Sequence, residues 1–231
     1  MILMPTLSNV KLVVFDWNAT LFADTAATFE SSSRVVKAYG GKGITLKQFR
    51  TSFGVPVMDF YIANGCSKAL LRKNPETASA MFHDYYEKRA AKCRTRAGAK
   101  KLLQWLEKHS VKSIILSDHT VEGIASHLRR LGLEKFFDAV VANSSRHSSL
   151  NGLHKSDSLK HYLKTHGYSS KEVVVVGDGP QEMEFGRKMG LTTITITHGY
   201  YSAERLKAEK PDFIVSNLAE IIPLVRGNGI R

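Results

Sequence analysis

Six short runs of apolar, largely β-branched residues recur along the chain, and they constrain its fold more than any other feature. The runs cover residues 11–15, 113–117, 139–142, 172–177, 192–197 and 212–215. Their hydrophobicity is continuous rather than alternating, which is typical of parallel strands buried on both faces. Helical periodicity fills intervals between them, at residues 97–109, 121–131, 156–166 and 181–189. This alternation predicts an α/β fold, a doubly wound parallel sheet with right-handed crossovers.

The stretch from residue 23 to residue 93 breaks this rhythm because it contains no convincing strand. Helical periodicity appears there at residues 29–39, 46–53, 57–64, 67–72 and 75–91. The glycine cluster at residues 40–43 is typical of a helix stop followed by a loop. The pattern predicts an all-helical insertion of residues 23–93 within a core made of residues 1–22 and 94–231. An insertion of about 70 residues can hold a small core of its own.

The 231 residues carry a formal net charge of +12, which favours anionic ligands. Much of the excess lies in residues 88–101, which contain seven Lys or Arg residues and no acid. Such a run is more typical of a solvated helix end and linker than of a nucleic-acid surface. No aromatic residue interleaves it for base stacking. Nucleic-acid binding is therefore the less favoured interpretation, and a small anionic substrate is favoured.

The expected compartment is the cytoplasm. Cys66 and Cys93 match no metal-binding spacing, which indicates a reducing environment. No apolar run is long enough to cross a membrane. The first ten residues lack a basic n-region and continue into the first apolar run, so we expect a strand there rather than a signal peptide. These features leave the oligomeric state open.

Polar side chains lie where predicted strands end. Asp16 directly follows the first run, Ser117 ends the second, Lys155 lies beyond the third, and Asp178 directly follows the fourth. Ligands bind at the carboxyl ends of strands in open α/β sheets. Two converging buried carboxylates repel one another, and a hard cation such as Mg²⁺ relieves that repulsion. Helix capping is the alternative role for Asp178. The pattern predicts a metal-and-phosphate site, with Glu182 as an outer acid one helical turn further on.

These segments resemble the motifs of the haloacid dehalogenase superfamily, in the right order and over nearly the whole chain. Residues 16–21, Asp-Trp-Asn-Ala-Thr-Leu, resemble its first motif, Asp-x-Asp-Gly-Thr. Ser117 at the end of an apolar strand resembles the second, and Lys155 resembles the third, although Ser156 stands where proline is usual. Residues 173–190, with Asp178 and Glu182, resemble the fourth. Residues 53–57, 131–138 and 197–200 are also similar to the branch that contains phosphoglycolate phosphatase and β-phosphoglucomutase.

The resemblance implies a Rossmann-like core with a helical cap inserted after the first motif, and a Mg²⁺-dependent phosphatase that acts on a small phosphorylated metabolite. Asp16 would be the nucleophile that forms an aspartyl-phosphate. The carboxylates of Asp16 and Asp178 and the backbone carbonyl of Asn18 would hold Mg²⁺. Ser117 and Lys155 would bind the transferring phosphoryl group. The supporting residues implied are Thr20 and Glu182 behind these ligands and Phe53, Gly54 and Pro56 at the cap.

The first motif departs from the family at its second acid. The aspartate that protonates the leaving oxygen and activates water is replaced by Asn18, and an amide cannot relay a proton. General acid–base catalysis is typically worth about 10²–10⁴ in rate, so the resemblance implies a slow or specialised enzyme. Asp24, His119 and His83 are candidates to supply the missing proton. Ala19 in place of the usual glycine is a smaller departure.

Two other readings follow from this departure. The chain could be a binding module on a degraded hydrolase scaffold that uses its basic surface for nucleic acid or a phosphorylated partner. Retention of the residues at positions 16, 117, 155 and 178 favours an enzyme instead. Phosphonate cleavage or dehalogenation is a lesser alternative, because Lys47 and Lys68 lie at unsuitable offsets for a Schiff base and the metal-binding Asp178 is retained.

Overall fold

The computed structural model describes residues 7–143 and 155–226. Within that part of the chain, one parallel sheet forms from strands whose bounds are β1 (Leu12–Phe15), β2 (Lys112–Thr120), β3 (Ala139–Asn143), β4 (Val173–Gly177), β5 (Thr192–Ile196) and β6 (Phe213–Val215). The strand order is β3-β2-β1-β4-β5-β6. The chain therefore builds outward from β1 in both directions, and β1 and β4 meet at the switch point where open α/β sheets bind ligands.

Helices alone follow β1 until the chain returns to the sheet. The helices of this segment are α1 (Thr25–Ala38), α2 (Leu46–Ser52), α3 (Val57–Ala63), α4 (Lys68–Lys73) and α5 (Pro75–Ala90). Local sequence explains several of their starts. The Thr45 and Gln48 side chains form a capping box at α2, the Ser67 side chain caps α4, and Pro75 occupies the first turn of α5.

The remaining helices flank the sheet. They are α6 (Ala99–Lys108), α7 (Val121–Leu131), α8 (Lys155–Thr165), α9 (Pro180–Met189), α10 (Ala203–Ala208) and α11 (Ile221–Val225). Side chains alternate along β1, so that Val13 and Phe15 pack with α6, α7 and α11, whereas Leu12 and Val14 pack with α8 and α9. All four β1 side chains are fully buried. Burial on both faces is the reason the strand runs are continuously apolar.

The helical insertion has a separate aromatic cluster centred on Phe49 of α2, which is fully buried. The Phe49 ring centroid lies 4.9 Å from that of Phe53 and 5.7 Å from that of Phe60. The cluster continues into the core, because the ring of Tyr200 lies 5.8 Å from Phe49 and 5.1 Å from Phe53. The insertion therefore packs against the segment that follows β5.

Two arginines add polar contacts to this junction. Arg50 of α2 donates to the backbone carbonyls of Gly199 at 3.1 Å and His198 at 3.0 Å. Arg205 of α10 donates in the opposite direction, to the carbonyl of Phe53 at 2.6 Å. These bonds and the aromatic contacts hold the end of α2 against the core.

The predicted fold class is confirmed, and each predicted strand and helix is present within four residues of its expected bounds. The short helices α10 and α11 were not predicted. The division into a core and a helical cap with boundaries near residues 22 and 94 stays a prediction. None of the described helices has the length and apolar character needed to cross a bilayer.

Phe49→Ala tests whether the aromatic cluster stabilises the protein. We expect the free energy of unfolding to fall by about 3–5 kcal/mol, since the substitution removes a fully buried ring and leaves a cavity. Leu46→Ala is the matched control in the same helix, because Leu46 is 38% exposed and its loss should cost no more than about 0.5 kcal/mol. Urea unfolding at equilibrium measures both. Equal losses in the two variants would contradict the packing described for α2.

Candidate active site

Asp16 and Asp178 lie side by side at the switch point of the sheet. Phe15 is in register with Val176, and the Asp16 amide donates to the carbonyl of Val176 at 2.9 Å. Each carboxylate follows the last residue of its strand, so both emerge at the same sheet edge. Both residues are buried, with only 6% and 4% exposed surface. The convergence predicted from the strand ends is therefore present.

Lys155 brings a third strand end into the same site. Its ammonium lies 2.8 Å from Asp16 Oδ1, 2.9 Å from Glu182 Oε1 and 3.4 Å from Asp118 Oδ2. Burial opposes the charge on Lys155, but these carboxylates together outweigh it and raise the lysine pKa well above its usual range. The Lys155 side chain is therefore a fixed cation at the end of β1. Glu182, which lies on α9, holds it in place through its carboxylate.

One lysine does not neutralise the carboxylates around it. Burial raises the pKa of Asp16 to about 7, against the opposing effect of Lys155. Burial and then the charge of Asp16 raise the pKa of Asp178 well above its usual range. Asp178 Oδ2 accepts the backbone N–H of Tyr200 at 2.6 Å, which opposes that rise. The pair is therefore costly to ionise without a further cation.

The donor set fits Mg²⁺. In the described residues no three His, Cys, Asp or Glu side chains are arranged to enclose a metal by themselves. Two carboxylates with a backbone carbonyl are nevertheless sufficient for Mg²⁺, because this ion retains waters and also binds substrate phosphate. The two buried carboxylates are costly to ionise together without a further cation, and this cost favours a cation at this position.

A strained turn follows Asp16. Ala19 has φ of +56°, in the left-handed region that costs a residue with a Cβ about 1 kcal/mol. Hydrogen bonds hold the turn on both sides, since the Ala19 N–H donates to Asp24 Oδ1 at 2.7 Å and the Ala19 carbonyl accepts from Arg96 at 2.7 Å. The turn directs the Thr20 hydroxyl to Asp16 Oδ2 at 3.1 Å. Thr20 is therefore in hydrogen-bond contact with Asp16, and its supporting role in catalysis stays a prediction.

Asn18 is held by a buried acid from the start of the insertion. Its amide nitrogen donates to Asp24 Oδ2 at 2.7 Å and to the Tyr86 hydroxyl at 3.0 Å. Asp24 is fully buried and also accepts the hydroxyls of Tyr86 and Tyr200, each at 2.7 Å. Asp24 is not part of the cavity wall. Asp24 therefore fixes the orientation of the Asn18 side chain from the side away from the cavity, and it does not face a substrate.

A cavity of about 300 Å³ lies between the sheet edge and the insertion. Its walls include most of the predicted site residues, which are Asp16, Asn18, Ser117, Lys155, Asp178, Glu182 and Phe53. Gly54 and Pro56 are not among the wall residues, whereas their neighbours Val55 and Val57 are. The roles of these side chains in catalysis or metal binding stay predictions.

Two histidines proposed as proton carriers also line this cavity, His119 and His83. His119 Nδ1 lies 2.8 Å from the backbone nitrogen of Thr120 and 3.3 Å from its carbonyl oxygen. The shorter contact is with a backbone N–H, which must donate, so we assign the ring proton to Nε2. Burial lowers the pKa of His119, so the neutral ring is favoured. In that form His119 can donate a hydrogen bond through Nε2 but has no free nitrogen to accept a proton.

The sequence identified Phe53 but not the tyrosines of the site. Tyr86, Tyr200 and Tyr201 all line the cavity, and the first two bind Asp24 as described. Tyr200 ends the family-like segment 197–200, which was its only signal. Tyr86 lies one turn after Phe82 on α5, and their rings stack with centroids 5.4 Å apart. That spacing is equally typical of a core stripe.

The basic run 88–101 divides into two parts. Most of its side chains are exposed. Arg96 instead turns inward, where it donates to the carbonyls of Ala19 and Thr197 at 2.7 and 2.6 Å. Arg89 pairs with Glu30 at 2.8 Å. Part of the charge therefore has a structural role, and nucleic-acid binding stays untested.

Comparison with known proteins agrees with this geometry. A model of haloacid dehalogenase-like hydrolases matches residues 13–196. A phosphoglycolate phosphatase of Vibrio vulnificus is 23% identical over 95% of this chain and 98% of its own length. A putative pyrophosphatase of Caldanaerobacter subterraneus is 21% identical over 95% of this chain and 96% of its own.

Solved structures show the same fold. A haloacid dehalogenase-like hydrolase from Streptococcus pneumoniae superposes with a TM-score of 0.77 at 21% identity, covering 94% of this chain and 98% of that one. A predicted phosphoglycolate phosphatase from Haemophilus somnus gives a TM-score of 0.70 at 15% identity, covering 93% and 97%.

Asp178→Asn tests the charge balance of the pair. Because the pKa of Asp16 rises from 3.8 to about 7 on folding, the folded state binds the proton more tightly, and metal-free stability should fall as pH rises from about 4 to about 7. At pH 8, Asp178→Asn should raise the metal-free melting temperature and remove the increase caused by Mg²⁺. Each pKa unit relieved is worth about 1.4 kcal/mol, or about 3–6 °C in melting temperature.

Glu184→Gln is the control for this experiment, because Glu184 is an exposed acid on the same helix as Glu182. Differential scanning calorimetry with Mg²⁺ and with EDTA measures all three proteins. If Mg²⁺ does not change the wild-type melting temperature at pH 8, the assignment of the cation site is contradicted.

Proposed function

The chain belongs to the haloacid dehalogenase-like hydrolase family, and from that premise we propose that it is a Mg²⁺-dependent phosphatase acting on a small phosphate monoester. The observation that supports this most strongly is the buried cluster of Asp16, Asp178 and Lys155 at one cavity, with the Ser117 side chain in the same wall. Phosphoryl transfer depends chiefly on positioning and charge neutralisation, and this cluster supplies both.

In the first half-reaction a carboxylate oxygen of Asp16 bonds to phosphorus while the bond from phosphorus to the leaving oxygen breaks. The Lys155 ammonium, 2.8 Å from Asp16 Oδ1, holds the nucleophile and faces the charge of the phosphoryl group. The Ser117 hydroxyl donates to a phosphoryl oxygen. Mg²⁺, held by Asp16, Asp178 and the Asn18 carbonyl, supplies further neutralisation of the phosphoryl oxygens when it is bound.

In the second half-reaction water hydrolyses the aspartyl-phosphate, and the site has no evident base for this step among the residues that the structure describes. A base must remove a proton from the water, and Asn18 cannot do so. Its amide nitrogen is committed to Asp24 and Tyr86. His119 is arranged as a donor, because its Nδ1 already accepts the Thr120 N–H. We therefore propose that breakdown of the aspartyl-phosphate limits turnover.

The substrate is a small phosphorylated compound. Relatives named phosphoglycolate phosphatase align over nearly their whole length, which supports a phosphate ester of similar size. A cavity of about 300 Å³ lies at the lower end of the usual range for ligand pockets, about 300–1,000 Å³.

Burst kinetics test this order of rates. With 4-nitrophenyl phosphate and Mg²⁺, release of nitrophenolate should show a burst of about one equivalent per site followed by a slower phase, because the good leaving group needs no acid but the second step still lacks a base. Stopped-flow absorbance measures the burst. Asp16→Asn and EDTA should each abolish it. Unchanged turnover under either condition would mean that Asp16 or the metal has been assigned wrongly.

Restoring the missing acid tests the role of Asn18. Asn18→Asp alone puts a carboxylate where the amide nitrogen now lies 2.7 Å from Asp24 Oδ2, so the two acids would compete for one proton. The double variant Asn18→Asp/Asp24→Asn exchanges amide and acid and keeps the total charge. We expect it to raise steady-state turnover on alkyl phosphates by at least about tenfold, toward the usual range of acid–base catalysis, and to shrink the burst.

Asp24→Asn alone is the matched control, and it should bring no such gain. If the double variant folds with an unchanged far-UV spectrum and shows no increase on alkyl phosphates, another group carries the proton.

A further inference from the structure

The cavity wall is made of two chemically different sets of residues, and the second set defines a leaving-group subsite. The first set, called here the phosphate end, consists of the core residues at positions 16, 117, 155 and 178. The second set, called here the cap end, comes from the insertion and the segment after β5. Its members are Phe53, Val55, Val57, Phe82, Tyr86 and Tyr201. A phosphate ester bound at Asp16 would extend its alcohol part into the cap end.

The rings of the cap end are held in place by one another. Phe53 lies edge-on to Tyr201, with centroids 5.8 Å apart and planes at 72°. Phe82 and Tyr86 stack with their planes at 14°. Tyr86 is fixed further by its hydroxyl, which binds Asp24. Since these rings are already ordered, a flat apolar group can bind against them without an added cost of arranging them.

Two valines leave apolar surface at the rim of the cap end. Val55 is 68% exposed and Val57 is 37% exposed, although both line the cavity. Most large apolar side chains in the described part of the chain are buried. An apolar ligand would remove part of this surface from water, and the hydrophobic effect would favour its binding.

The charges at the cap end disfavour a second anion on the substrate. Glu87 and His83 of the insertion also line the cavity, and His83 Nδ1 lies 3.7 Å from Glu87 Oε1, so an acid accompanies any charge on that ring. The aromatic faces carry the negative part of the ring quadrupole. Lys155 lies instead at the phosphate end, within 2.9 Å of two carboxylates.

From this arrangement we infer that the leaving group is an uncharged, flat apolar alcohol such as an aryl or arylmethyl alcohol, and that a carboxylate-bearing ester such as phosphoglycolate is a poor substrate. This inference rests on the proposed phosphatase activity. It concerns the alcohol part alone and leaves the phosphoryl chemistry as described above.

Benzyl phosphate and 2-phosphoglycolate form the test pair, because both are esters of primary alcohols and differ mainly in the ring and the carboxylate. We expect kcat/KM for benzyl phosphate to exceed that for phosphoglycolate by at least tenfold, measured as phosphate release in Mg²⁺. Val57→Arg should reduce this ratio by at least tenfold, since it adds a cation at the rim of the cap end. Leu70→Arg is the matched control on α4, because Leu70 is exposed and does not line the cavity, and it should leave the ratio unchanged.

Two results would overturn the inferred subsite without affecting the proposed phosphatase activity. One is a wild-type ratio of one or less. The other is an equal change of the ratio in the Val57→Arg and Leu70→Arg variants. Titration calorimetry of the Asp16→Asn variant in Mg²⁺ tests the same preference without turnover. Benzyl phosphate should bind at least tenfold more tightly than phosphoglycolate, and the reverse order would overturn the inference. Absence of the nitrophenolate burst would instead count against the proposed function.

Discussion

The contact between the Lys155 ammonium and the Asp16 carboxylate, 2.8 Å long and almost wholly removed from water, is the interaction on which the site depends. A buried acid of this kind is costly unless it is paired. Lys155 serves Asp16 and Glu182, and Asp178 lies beside them with a backbone N–H and, among the described residues, no Lys or Arg nitrogen within 4.0 Å. The sheet edge therefore carries more carboxylates than cations, and a cation is complementary to it. An anionic phosphoryl group would be complementary only to Lys155 and to such a cation.

Much of this arrangement follows from the sequence because it depends on strands and their ends. A run such as Leu12–Phe15 predicts a buried strand, and the position directly after it predicts where Asp16 points. Adjacency of β1 and β4 then brings in Asp178. Contacts between distant segments have no such local signal. Tyr86 and Tyr200 reach Asp24 across 62 and 176 residues, so their part in the site could be recognised only once the chain was folded.

The structure changes the interpretation of Asn18, which stands where the family motif has an aspartate. The sequence alone indicates only that an acid has been lost. In the structure a carboxylate is still present, six residues further on, but it lies behind the amide instead of facing the cavity. The same buried acid receives the hydroxyls of two tyrosines, and one of these belongs to the helical insertion. Asp24 thus joins the first motif to the insertion, and the amide at position 18 is a hydrogen-bond partner matched to that acid.

Tyr200 connects parts of the molecule that are otherwise separate. Its backbone N–H binds Asp178, its hydroxyl binds Asp24, and its ring packs against Phe49 and Phe53. Withdrawal of α2 from the core would disturb the residue that orients Asp178. By thermodynamic reciprocity, a cation that favours the present position of Asp178 would also favour the packing of α2 against the core. Binding at the proposed ion site would then stabilise the wall of the cavity as well as the carboxylate.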